Sequence, residues 1–75
     1  MLTGTQIRMA RAAVGWSVRE LAEKAKVNPN TVCRIENGGD ALGSTLDRLQ
    51  AALEDAGVIF IDRNQGGGPG VRLQK

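Results

Sequence analysis

Apolar residues recur at three- and four-residue intervals through the first three quarters of the chain, and then the rhythm changes. Ile7, Ala10, Ala13 and Val14 mark one face of a helix from about Thr5 to Val14, and Gly15 follows where a C-cap belongs. Leu21, Ala22 and Ala25 form a second stripe. Ser17 precedes it as an N-cap, and Glu20, three residues on, completes a capping box. Asn28 opens a third helix, with Pro29 at the first helical position, where its missing N–H costs nothing. In that helix Val32, Ile35 and Cys33 are expected to face inward, and Gly38-Gly39 stop it. Ser44 with Asp47 reads as the cap of a fourth helix, in which Leu46, Leu49, Ala52, Leu53 and Ala56 hold the spacing up to Gly57.

The tail follows a different pattern. Val58 to Ile61, "VIFI", is β-branched and aromatic, "DRNQGGGPG" is turn-rich, and "VRL", Val71 to Leu73, alternates. Two short antiparallel strands joined by a long glycine-rich connection are expected. Residues 1–57 then form a helical domain and 58–75 a hairpin tail. A lone hairpin is marginal in water, and a small helical core covers only one of its faces. The other face is expected to meet the hairpin of a second subunit. Val58, Ile59, Phe60, Ile61, Val71 and Leu73 are therefore the candidate dimer interface, with the fourth helix as the competing surface.

Composition narrows the chemistry. A chain of 75 residues holds one small domain, marginal without a partner or very regular packing. It has one cysteine and no histidine, so no intramolecular disulfide, no zinc cluster and no bound cofactor are expected. No signal sequence or membrane-length apolar run is present, which makes a cytoplasmic protein the expectation. Nor can a nucleophile–base pair be assembled, which argues against an enzyme. Cys33 reads as a small core hydrophobe and Trp16 as a plug between helices. Arg8, Lys24 and Arg48 read as solvated faces. "GGGPG" lacks the Gly-Lys-Ser/Thr ending of a phosphate loop. The net charge is only +2, but Met1–Gly38 carries six basic and three acidic residues, against four and five in the remainder. The basic excess suits a polyanion, and it lies where two short helices meet over a sharp turn. Such a pair is a helix-turn-helix, whose second helix can enter the DNA major groove.

The stretch "GWSVRELAEKAKVNPNTVCRIENG" resembles the lambda-repressor-like regulators, also called Cro/CI or XRE, over about Thr5 to Gly57. The resemblance lies in the cap Ser17, in Glu20-Leu21-Ala22, in the turn Lys26-Val27-Asn28, and in Val32 through Ile35-Glu36-Asn37-Gly38. It implies a mainly α fold of four helices, here with a C-terminal β-hairpin added, and a homodimer on double-stranded DNA. It further implies that Asn30 and Arg34 read base edges, with Thr31 or Pro29 against a thymine methyl, and that Asn28, Arg19 and Asn37 touch phosphates. Arg11 and Glu36 resemble the family's ion pair between the first and third helices. Two positions depart from the pattern: Lys26 stands where a left-handed glycine is usual, and Val18 where a phosphate-binding glutamine is usual. The expected role is a dimeric transcriptional repressor. The alternatives are an antitoxin whose tail grips a toxin, and a protein-interaction module that has lost DNA binding.

Overall fold

Three of the four helices begin where a side chain satisfies the first free N–H groups. Thr3 Oγ1 accepts from the Gln6 N–H at 3.1 Å, and Gln6 Oε1 accepts from the Thr3 N–H at 3.1 Å, so α1 runs Gly4–Val14. Ser17 and Glu20 repeat this reciprocal box at 3.1 and 3.0 Å ahead of α2, Val18–Ala25. The N–H and hydroxyl of Ser17 hold the Glu20 carboxyl below the usual glutamate range. Asn28 Oδ1 accepts from the Asn30 N–H at 2.8 Å, and Pro29 opens α3, Pro29–Glu36.

The fourth start differs from the sequence expectation. Ser44 and Asp47 do not cap α4, which runs Gly43–Asp55 with Leu42 as its N-cap and no side-chain cap. The Leu42 carbonyl accepts from the Thr45 and Leu46 N–H groups at 3.0 and 3.1 Å, so the first turn already contains Ser44. The computed structural model describes residues 2–63 and 66–74. Asn64 and Gln65 of the expected loop lie outside them.

Ile7, Ala10, Leu21, Ala22, Ala25, Val32, Ile35, Leu49, Leu53 and Val58 form the buried core. Trp16 packs at its edge half-buried, with the Lys24 ammonium 5.9 Å from the ring centroid. Three expected core positions are corrected. Ala13 and Ala56 are exposed, the latter as the C-cap of α4. Cys33 is also exposed. Val32, Ile35 and Glu36 fix the phase of α3, and one residue beyond Val32 is about 100° round the helix, on the outer side.

The turn between α2 and α3 passes through Lys26, the one non-glycine residue with positive φ among those described (φ 59°, ψ 47°). The Lys26 N–H bonds back to Ala22 and Glu23, and the Val27 N–H to Ala22 at 3.0 Å, closing the end of α2. Arg48 is more than a solvated face: its Nη1 donates to the Lys26 carbonyl at 3.4 Å.

β1, Val58–Ile61, pairs antiparallel with β2, Gly70–Leu73, in the register Val58↔Leu73 through Ile61↔Gly70. Partners opposite one another share a face, so Val58, Phe60 and Val71 turn together to the core. Ile59 remains 42% exposed on the other face, and Leu73, at the end of the ladder, 44%. The hairpin is held by a residue that sequence pattern passes over. Gln6 is 1% exposed, and its Nε2 donates to the carbonyls of Ile61 (3.1 Å) and Gly70 (3.0 Å), one on each strand.

Candidate nucleic-acid interface

Helix α3 is held by its inner side and presents its outer side. Val32 and Ile35 are buried in the core, and Glu36 is buried beside them. The opposite side carries Asn30, Arg34 and Asn37, all exposed, with exposed Cys33 and half-buried Thr31 on the flanks and exposed Pro29 in the first turn. The side chains of Asn30 and Arg34 make no hydrogen bond or ion pair among the described residues. The position of the Arg34 stem is nonetheless defined. It lies over Gly39, where a Cβ would collide with its Cγ, and the Gly39 N–H donates to the Arg34 carbonyl at 2.8 Å.

Asn28 spends Oδ1 on the cap of α3, which leaves its Nδ2 as a donor. Arg19 is exposed in the first turn of α2, while Val18 beside it packs half-buried against the core. The structure thus gathers Asn30, Arg34 and Asn37 on one side of α3, whereas Pro29, three residues before buried Val32, lies exposed at the start of the helix and is not on that side. Arg19 lies on α2 and not on that helix.

Arg11 and Glu36 lie behind this surface. Arg11 Nε donates to Glu36 Oε2 at 2.9 Å and Nη2 to Oε1 at 3.1 Å, a bidentate pair whose carboxylate is 4% exposed. Arg11 Nη1 also donates to the Trp16 carbonyl at 3.1 Å, tying the end of α1 to the chain entering α2. The hydrogen bonds to Glu36 raise the Arg11 pKa above its ordinary value. The pair joins α1 to the end of α3 and sets the distance between them. Gly4 sets it too, since a Cβ there would overlap the Ile35 carbonyl oxygen.

Arg8 is exposed, as its position suggests, but its guanidinium is engaged with the end of α3. Its Nε lies 3.5 Å from Glu36 Oε1, and its Nη2 donates to the Glu36 carbonyl at 3.3 Å and to Asn37 Oδ1 at 3.1 Å. Its spacing of three from Arg11 puts both guanidiniums on one side of α1, and that was the one sequence signal for it.

A profile for the helix-turn-helix domain matches residues 3–54, the whole of α1 to α3 and all but the last residue of α4. The chain belongs to the helix-turn-helix domain family. Its membership suggests a regulator that binds DNA, and the match stops before the hairpin. No curated protein matches the chain. Among the described residues of this helix-turn-helix chain, no helix is long and apolar enough to cross a membrane. Among the described residues, no group of three or more His, Cys, Asp or Glu side chains is placed to hold a metal.

Proposed function

We propose that the chain is a sequence-specific double-stranded DNA-binding transcriptional regulator of the lambda-repressor-like class, acting as a homodimeric repressor. The observation that carries this reading is the pair of unpartnered side chains, Asn30 and Arg34, on the outer face of a helix fixed from behind by Val32, Ile35 and Glu36. Arginine matches guanine O6 and N7 in bidentate fashion, and asparagine matches adenine N6 and N7. In this reading Arg34 and Asn30 read bases, and Thr31 and Pro29 meet a thymine methyl. Arg19, Asn28 and Asn37 hold phosphates, which fixes orientation without reading sequence. The exposed Ile59, on the hairpin face turned away from the core, supports a two-fold dimer through the tail. A dimer places two copies of α3 in successive major grooves of a two-fold operator.

The test is binding to the protein's own upstream DNA across a salt series, with Arg34→Ala beside the parent. The parent should bind with a steep negative salt slope, and the variant should lose about 1–3 kcal/mol of discrimination at one base pair. A parent that binds its upstream DNA no tighter than random DNA would overturn the reading and leave the hairpin as the working surface of an interaction module. Sedimentation at micromolar concentration tests the dimer: a monomer there removes the tail interface.

A further inference from the structure

A helix C-terminus is a poor place to bring a phosphate, because its free carbonyls and its dipole are both negative. The end of α3 is altered by a side chain from another helix. Arg8 Nη2 donates to the last helical carbonyl, that of Glu36, at 3.3 Å, and to Asn37 Oδ1 at 3.1 Å. Two consequences follow for Asn37. Its amide oxygen is occupied, so the amide is oriented and Nδ2, which makes no hydrogen bond among the described residues, turns its two N–H donors away from Arg8. The local charge also becomes positive. Arg11 already pairs with Glu36 in bidentate fashion, so the Arg8 guanidinium, with its side chain 55% exposed, is in excess.

We propose that Arg8 and Asn37 together form a binding site for a backbone phosphate at the C-terminal end of α3, with Arg8 as the positioning residue for the Asn37 amide. This rests on the DNA-binding reading above and adds a residue of α1 to that surface. The site takes an oxyanion carried on duplex DNA and reads no base.

A double-mutant cycle tests it, using the full chain, a short duplex from its own upstream region and a scrambled duplex of equal length. Asn37→Ala should weaken binding to both duplexes about tenfold, the value of one charge-assisted hydrogen bond. Arg8→Met should weaken both by about the same factor and lower the salt slope by about one, and Arg8→Lys should restore the slope. Because Arg8 acts largely through Asn37, the double variant should fall short of the product, losing about thirtyfold and not a hundredfold. Effects that multiply fully, or an Arg8→Met variant that loses thermal stability while binding both duplexes like the parent, would overturn the proposal. If the parent binds and Arg34→Ala relaxes its specificity while the cycle shows no coupling, only this site fails. If the parent shows no salt-dependent binding at all, the DNA reading fails with it.

Discussion

Gln6 offers the sharpest test of how the tail is attached. Replacing it with methionine keeps the length and most of the volume but removes every polar atom. Three bonds at a side chain 1% exposed are lost: those to the carbonyls of Ile61 and Gly70 and that from the Thr3 N–H. A buried acceptor left without a donor costs about 1–3 kcal/mol, and the lower end applies here because Ile61 and Gly70 are only half-buried. Two such carbonyls plus half a capping box come to roughly 2–4 kcal/mol. In a domain of this size that moves the thermal midpoint by roughly 10–30 °C. Urea titration followed by circular dichroism measures the loss. Gln6→Glu adds a signature. A carboxylate cannot donate to two carbonyls, so the protonated form is favoured in the folded state and the folded pKa rises. The variant should therefore be stabilised on going from neutral pH down to about pH 4, and lose stability as pH rises through the carboxylate range. A Gln6→Met variant within about 0.5 kcal/mol of the parent would refute the clamp.

Three further outcomes follow from the same geometry. Arg11→Met leaves the Glu36 carboxylate buried with only the 3.5 Å contact to Arg8, so it should cost about 3 kcal/mol in urea titration, the low end for breaking a buried pair. Lys26→Gly relieves a left-handed residue whose exposed side chain makes no hydrogen bond or ion pair among the described residues, while its carbonyl still accepts from Arg48. Chemical denaturation should show a gain of up to about 1 kcal/mol, part of the relief being offset by glycine's unfolded-state entropy. Glu20 has a lowered folded pKa, so the stability it contributes is present above the ordinary glutamate range and is lost as pH falls through its folded pKa. Glu20→Gln keeps the capping box without the titration, and its melting temperature should fall less steeply with acid than the parent's.

What could be read from the chain in advance is what rests on neighbours in sequence. The Ser17–Glu20 box, the Asn28-Pro29 start and the β-branched and aromatic "VIFI" are local rules, and the helices and hairpin follow them. Local rules also misled at α4, where Ser44 and Asp47 have the spacing of a cap but Leu42 ends the preceding loop in an extended conformation. Gln6 was invisible because its strand partners lie 55 and 64 residues away, and a lone glutamine in an amphipathic helix looks like surface. The contacts of exposed Arg8 were hidden for the same reason, its partners being 28 and 29 residues distant. Cys33 was misplaced because a small apolar residue beside Val32 looks like core until the buried Glu36 sets the phase of the helix.

Helix α1 is gripped on two sides within six residues: Gln6 holds both strands of the tail, and Arg8 and Arg11 hold the end of α3. Neither the hairpin nor α3 can open alone without breaking bonds to the same short helix. The two ends of the molecule should therefore unfold as one cooperative unit. In native-state hydrogen exchange, the slowest amides of α3 and of the β1–β2 ladder should share one opening free energy, equal to that of global unfolding.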